Sequence, residues 1–159
     1  MEYRIKFSGK SHDYTQEEID TVVKAMKDAD PYTQGAYQKA FEEKFAAYIG
    51  APYAFAVNNA TAALEMAAQL CQFEPGDEVI IPAHTFTSSA YPFAKKGAEI
   101  VWADIDLQTR VATADTIADR ITPRTKAVVV VHLYGYAADM PGIMDLAREH
   151  HLMVIEDTA

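Results

Sequence analysis

The sequence predicts an α/β fold in which a mostly parallel sheet carries helices on both faces. From residue 52 onward, short apolar runs alternate with helical segments, and the runs are continuous rather than alternating in polarity. Strands of that kind are buried on both faces, which is typical of parallel sheets between helix layers. The predicted strands are YAFAV (53–57), EVIIP (78–82), EIVWA (99–103), KAVVVV (126–131) and LMVIE (152–156), with helices at about 61–72, 86–96, 114–121 and 139–150.

The residues before that alternation predict two helices. Thr15 and Glu18 have the spacing of a capping box, and apolar residues follow at i, i+3, i+4 and i+7. A second apolar stripe ends at Gly50, a residue that commonly follows a helix. We therefore expect an N-terminal helical segment over 1–50 and the α/β domain over 51–159.

Length, composition and charge limit the classes of function. The chain has 159 residues, half of them hydrophobic, which is enough for one domain with a sizeable core. Its net charge of -9 argues against a nucleic acid or an anionic membrane as partner, because both are bound by clustered Lys and Arg. No secretory apolar region and no apolar run near the roughly 18 residues of a membrane span occur, so we expect a cytoplasmic protein.

Four loops that follow predicted strands are the places to look for function, because ligands of open α/β sheets bind at the carboxyl ends of the strands. They are VNNATAAL, IPAHTF, VHLYG and IEDTA. In the first loop, Ala60 and Thr61 begin a helix, where small residues and free N–H groups attract an anion such as phosphate. The alternative is that Asn59 or Thr61 simply caps the helix.

Single side chains stand out in the other three loops. Phe86 either stacks on a flat ring or belongs to the core. Asp157 ends a buried strand, where a carboxylate needs a partner such as a protonated ring nitrogen or a backbone amide. Glu156 should point to the opposite side of that strand. His132 either faces the ligand crevice or is a hydrogen-bonded structural residue.

Patterns of several other enzyme classes are missing from the sequence. The five histidines show no HExxH or Cys/His spacing, so we expect no metal site. Asp104 and Asp106 favour turn caps. A Walker lysine, a GxGxxG fingerprint and a GxSxG elbow are all absent, which weakens nucleoside triphosphate, dinucleotide and α/β-hydrolase interpretations.

Five segments, in the same order and at the same spacing, resemble the DegT/DnrJ/EryC1/StrS sugar aminotransferases, fold-type I enzymes that depend on pyridoxal 5′-phosphate. They are TQGAYQKAFEEKFAAYIG, FAVNNATAALEMA, PGDEVIIPAHTFTSSA, ITPRTKAVVVVHLYGYAADM and VIEDTA. The resemblance implies an aspartate-aminotransferase-like large domain of which this chain is the first part. It also implies a C-terminal small domain absent from this chain.

The resemblance implies roles for individual residues. Ala60 and Thr61 would hold the cofactor phosphate, Phe86 would stack on the pyridine ring, and Asp157 would pair with the protonated pyridine nitrogen. Asn59 and His132 would lie just behind these contacts. The Schiff-base lysine of the family falls beyond the last residue given, so we expect transamination only from a longer protein.

The resemblance also implies a reaction and an assembly. The reaction would be transfer of an amino group from glutamate or glutamine to a keto-sugar, which we expect to be nucleotide-linked, in a homodimer. Several alternatives stay open. They are a keto-cyclitol substrate, a dehydratase of the same family with histidine in place of the lysine, a non-catalytic binding or regulatory relative, and a generic nucleotide-binding α/β domain.

Overall fold

The computed structural model describes residues 12–159, which fall into one compact unit ending at Ala56 and a second comprising Val57–Ala159. Within residues 12–159, no helix has the length and apolarity that crossing a membrane requires. The elements are α1 (Gln16–Asp28), α2 (Ala36–Ile49), α3 (Ala60–Cys71), β1 (Glu78–Pro82), α4 (Tyr91–Lys95), β2 (Glu99–Ala103), α5 (Ala114–Ala118), β3 (Thr125–Val131), α6 (Met140–Glu149) and β4 (Met153–Asp157), with 3-10 turns at Thr87–Ser89 and Leu133–Gly135.

The first unit contains the two predicted helices, and their ends follow the expected signals. The Thr15 hydroxyl accepts a hydrogen bond from the Glu18 amide, and the Glu18 carboxylate accepts one from the Thr15 amide at 2.7 Å. This reciprocal pair satisfies two amides that the first turn of α1 leaves free. Helix α2 stops at Gly50, whose φ of 71° lies in the left-handed region that favours glycine.

The second unit is built on a four-stranded sheet with the strand order β2-β1-β3-β4. All three neighbouring pairs are parallel. Strand β1 is buried along its whole length, and the central residues Ala127 to Val130 of β3 are at most 1% exposed. The predicted parallel sheet and the strands near 78, 99, 126 and 152 are therefore confirmed.

Helices cover both faces of this sheet, and each face has its own hydrophobic core. Successive side chains of a strand point to opposite faces. On one face Val79 and Ile81 belong to a core with residues of α3 and α4. On the other face Ile80 belongs to a core with Ile117 of α5 and Ile143 of α6. Burial on both faces explains the continuous apolar runs of β1 and β3.

The prediction of a strand at YAFAV (53–57) is wrong. The structure gives this segment no strand, and none of the four described strands pairs with it. A strand needs a neighbouring strand for its backbone hydrogen bonds, so apolar and aromatic content alone does not make one. Tyr53 and Phe55 are 76% and 72% exposed.

The helix predicted at 86–96 is broken into two short pieces. A 3-10 turn comes first, and α4 begins only at Tyr91, with Pro92 in its first turn. Proline lacks an N–H group and is tolerated where helix amides have no intrahelical partner, which is the first turn. Pro92 therefore delays the start of the helix, and the residues before it are free to form the turn.

A buried carboxylate ties β1 to the loop before β3. Glu78 is 2% exposed, and its carboxylate accepts a hydrogen bond from Thr122 Oγ1 at 2.5 Å and forms an ion pair with Arg124. The hydrogen bond from Thr122, followed by the contacts with Arg124, lowers the pKa of Glu78 below its ordinary 4.5, although burial acts in the opposite direction. The folded protein thus favours the ionised form.

We predict that Glu78→Gln destabilises the fold mainly at neutral pH. A lowered folded-state pKa stabilises the fold above the ordinary value of 4.5, and that stabilisation is lost as the pH falls through the folded-state value. The variant should lose about 1–3 kcal/mol of unfolding free energy at pH 7, with a smaller loss near pH 4. Urea unfolding at both pH values measures this.

The matched control is Glu99→Gln. The Glu99 carboxylate lies 4.0 Å from the same arginine, but its side chain is 63% exposed. Exposed ion pairs contribute little, so the control should shift stability by less than about 0.5 kcal/mol. Equal losses of unfolding free energy in the two variants would contradict the larger contribution expected of the buried carboxylate.

Candidate functional site

The carboxyl ends of β1, β3 and β4 meet around the carboxylate of Asp157. A cavity of about 190 Å³ lies there, bordered by the loop after β1, the end of β3 and the end of β4. This is the edge of a parallel sheet at which ligands bind in open α/β folds. The residues lining it are Thr85, Phe86, Ser88, Ser89, Val131, Leu133, Asp157 and Ala159.

A second cavity, of about 320 Å³, lies between α3 and the end of β4. On the helix side it is lined by small residues, among them Ala60, Ala63 and Ala67. On the strand side it is lined by Asp157 and its neighbours. Asp157 therefore borders both cavities, and the start of α3 and the loop after β1 reach the same carboxylate.

The carboxylate of Asp157 is buried and held by two hydrogen bonds. The residue is 7% exposed. Its Oδ2 accepts from Ser89 Oγ at 2.6 Å, and its Oδ1 accepts from the backbone N–H of Ala159 at 3.2 Å. Among the described residues, no Lys, Arg or His forms an ion pair with it. A buried carboxylate without a positive partner is well suited to a cationic ligand group.

The start of α3 leaves two amides open. Asn59 caps the helix, because its Oδ1 accepts from the backbone N–H of Ala62 at 2.9 Å. The expectation of an ordinary cap is therefore confirmed for this residue. The N–H groups of Ala60 and Thr61 have no hydrogen-bond partner among residues 12–159. A twelve-residue helix with open amides at its positive end favours a bound anion.

Phe86 is a surface residue at the mouth of the smaller cavity. Its side chain is 73% exposed, so the alternative that it belongs to the core is wrong. It directly precedes the 3-10 turn Thr87–Ser89. An exposed aromatic ring beside a buried carboxylate offers a stacking surface for a flat heterocycle.

His132 has the structural role that was one of its two predicted alternatives. Its Nδ1 accepts from the backbone N–H of Ala138 at 3.1 Å, so Nε2 carries the proton and donates to Glu156 at 3.0 Å. Only its backbone contacts the site directly, because its N–H donates to the carbonyl of Asp157 at 3.0 Å. Glu156, with a side chain 51% exposed, points away from Asp157 as predicted.

Sequence reasoning missed Ser89 and Thr85. Ser89 is 1% exposed, and its hydroxyl lies 2.7 Å from the hydroxyl of Thr85. The sequence feature that marks these two residues is the run of Ser and Thr in HTFTSSA. This run follows a strand whose carboxyl end lies at the ligand edge. Their link to Asp157 was not visible, because 68 residues separate the two positions.

The acidic and histidine side chains of the described residues were also candidates for metal ligands. In that part of the chain, no three His, Cys, Asp or Glu side chains lie close enough together to hold a metal ion. Asp106 acts as a turn cap, because its Oδ1 accepts from the amides of Gln108 and Thr109. Asp104 accepts from the amide of Ile105.

Comparison with known proteins identifies the family. A family model described as the DegT/DnrJ/EryC1/StrS aminotransferase family matches residues 13–159. The chain belongs to this family. The match includes every residue of both cavities and all four strands.

Individual relatives agree with this assignment. GDP-perosamine synthase of Caulobacter vibrioides is 40% identical over 154 residues, which cover 97% of this chain and 40% of that protein. An aminotransferase from Psychrobacter cryohalolentis has a TM-score of 0.86 at 38% identity, covering 95% of this chain and 38% of the other. NtdA from Bacillus subtilis, solved with bound cofactor PMP, has a TM-score of 0.81 at 33% identity, covering 90% and 34%. The chain thus spans about two fifths of the length of its curated relatives.

We predict that Asn59→Ala weakens α3. The substitution removes the side-chain acceptor of the Ala62 amide, and loss of such a cap costs about 1 kcal/mol of unfolding free energy. Thermal unfolding of the purified protein measures the change. Asn58→Ala is the matched control, because no hydrogen bond of the neighbouring Asn58 side chain occurs among the described residues. An equal loss in both variants would contradict the capping role.

Proposed function

We propose that the protein containing this chain transfers an amino group from glutamate or glutamine to a keto-sugar, with pyridoxal 5′-phosphate as cofactor. The observation that carries the proposal is the buried carboxylate of Asp157, which has no positive partner in the described chain and lies between an exposed aromatic ring and an open helix start. Family membership over residues 13–159 supports the same reaction class.

The start of α3 fits the phosphate of the cofactor. The open amides of Ala60 and Thr61 would donate to phosphate oxygens, and the Thr61 hydroxyl would add a third donor. The small side chain of Ala60 lets an anion approach the backbone. Asn59 would act indirectly, because its cap holds the first turn of α3 in place.

The cavity beside β4 fits the ring of the cofactor. Phe86 would stack on the face of the pyridine ring, and Asp157 would accept a hydrogen bond from the protonated ring nitrogen. The ring cation would be the positive partner that the buried carboxylate lacks among the described residues. When bound, the cofactor supplies an electron sink for the negative charge that forms as the amino donor loses its α-proton. Asp157 contributes to that chemistry by keeping the proton on the ring nitrogen.

The substrate class is inferred from relatives. The name of the Caulobacter enzyme, GDP-perosamine synthase, is that of a nucleotide-linked sugar product, and it shares 40% identity with this chain. We therefore infer that the keto-sugar acceptor is nucleotide-linked. The intact enzyme is further proposed to be a cytoplasmic homodimer, which the family resemblance supports. Neither nucleic acid nor a membrane is a proposed partner.

The first test is an intact mass spectrum of the purified protein after incubation with pyridoxal phosphate and reduction with borohydride. One pyridoxyl group on a lysine beyond residue 159 would support amino transfer, because that lysine is the covalent partner expected in this family. A polypeptide longer than these 159 residues that carries no pyridoxyl adduct would overturn amino transfer. It would favour a dehydratase or a non-catalytic relative. Binding of ATP or NAD without any response to pyridoxal phosphate would indicate a generic nucleotide-binding domain.

We predict that Asp157→Asn lowers kcat for amino transfer by about 100-fold or more, since an electrostatic contact made during the reaction is lost. An amide cannot hold a proton on the ring nitrogen as a carboxylate does. Steady-state kinetics with glutamate and a nucleotide-linked keto-sugar measure the change.

The matched control is Asp104→Asn, which alters an exposed carboxylate just after β2, outside both cavities. It should keep kcat within about twofold of the unmodified protein, because surface substitutions away from a site have small effects. A kcat for Asp157→Asn equal to that of the control would remove Asp157 from the site.

A further inference from the structure

We propose that Ser89, held in turn by Thr85, is the positioning residue that sets the orientation of the Asp157 carboxylate. The inference rests on the proposed function, because the carboxylate matters chemically only if it meets the cofactor's ring nitrogen. Ser89 is not proposed to touch the cofactor. It acts through Asp157.

Ser89 and Asp157 are both buried and in close contact. Ser89 is 1% exposed and Asp157 is 7% exposed, and their hydroxyl and carboxylate oxygens are 2.6 Å apart. A distance of 2.5–2.7 Å is typical of a hydroxyl that donates to an ionised carboxylate. Because both residues are buried, such a hydrogen bond is stronger than it would be at the surface. Ser89 is therefore the main fixed donor to Oδ2.

The hydroxyl protons of Ser89 and Thr85 determine the direction of the hydrogen bond between these two residues. A hydroxyl carries one proton, and Ser89 donates it to the ionised carboxylate of Asp157. The 2.7 Å contact between the two hydroxyls must then use the proton of Thr85, with Ser89 as acceptor. The result is a directed chain from Thr85 through Ser89 to Asp157. Each donor in such a chain polarises the next, which strengthens the final hydrogen bond.

A further support is the turn that carries Ser89. The backbone N–H of Ser89 donates to the carbonyl of Phe86 at 3.0 Å, which closes the 3-10 turn. This turn therefore links the residue whose ring would stack on the cofactor to the residue whose hydroxyl holds the carboxylate. This arrangement fixes the two groups relative to each other.

The chain of hydroxyls leaves the carboxylate able to accept further hydrogen bonds. Ionised carboxylate oxygens offer about four acceptor positions. In the described structure Ser89 takes one of them and the Ala159 amide takes another. Because Ser89 stabilises the anion, it favours the ion pair with a protonated ring over a neutral pair in which the proton has moved to the carboxylate.

Ser89→Ala in the intact protein tests the inference, with pyridoxamine phosphate as the probe. This form of the cofactor makes no covalent bond to a lysine, so its dissociation constant reports the non-covalent contacts alone. We expect the dissociation constant to rise about tenfold, as loss of one hydrogen bond to a charged group predicts. The ring titration, followed by the nitrogen-15 chemical shift of the bound cofactor, should show a smaller fraction of protonated ring nitrogen on its acidic side, because part of the proton population has moved to the carboxylate.

Two further variants separate positioning from mere folding. Thr85→Val keeps the shape but removes the hydroxyl that donates to Ser89, and it should shift the ring titration in the same direction by a smaller amount. Thr85→Ser keeps the hydroxyl and should restore the unmodified titration. Thr87→Ala is the control within the same turn, since its exposed hydroxyl has no hydrogen-bond partner among the described residues.

The outcomes distinguish the inference from the proposed function. If the unmodified protein binds pyridoxamine phosphate and Ser89→Ala matches Thr87→Ala in affinity and ring titration, the positioning role is wrong while the proposed function stands. A lower melting temperature of Ser89→Ala with an unchanged ring titration would likewise overturn it in favour of a purely structural serine. Failure of the unmodified protein to bind the probe would overturn both proposals.

Discussion

The hydrogen-bond register between β3 and β4 decides which of two adjacent acids reaches the ligand edge. Val130 lies opposite Glu156, and Val131 lies opposite Asp157. Adjacent residues of a strand point to opposite faces, so a slip of one position would exchange the two carboxylates. In the observed register Asp157 is buried beside both cavities, whereas Glu156 is half-exposed and bonded to His132. The position of Asp157 relative to the start of α3 and to Phe86 therefore depends on this pairing.

The two hydrophobic cores hold that register in place. Strand β3 supplies Val129 to one core and Val130 to the other, and both side chains are fully buried. Ile155 and Val154 of β4 pack against the same two cores from the neighbouring strand. Moving β4 by one residue would place each apolar side chain against the wrong core, at a cost that grows with the buried area. Packing in the two hydrophobic cores thus fixes the chemistry at the ligand edge.

Much of the fold was predictable because burial on both faces leaves a local signal. Each of the four observed strands is a continuous apolar run, and the Asp157 carboxylate stood out because it follows one of them. The features that could not be predicted depend on contacts between residues far apart in the sequence. The segment 53–57 has strand-like composition but no partner strand, which composition does not reveal. The Ser89 contact joins positions 68 residues apart, and only the sheet order brings them together.

Strand β4 occupies an edge of the described sheet, with β3 as its neighbour. On its other side, the N–H and C=O groups of β4 face no strand among residues 12–159. Within residues 12–159, the Asp157 carboxylate is thus held through the backbone pairing of β4 with β3 and, from the side, through the Ser89 hydroxyl.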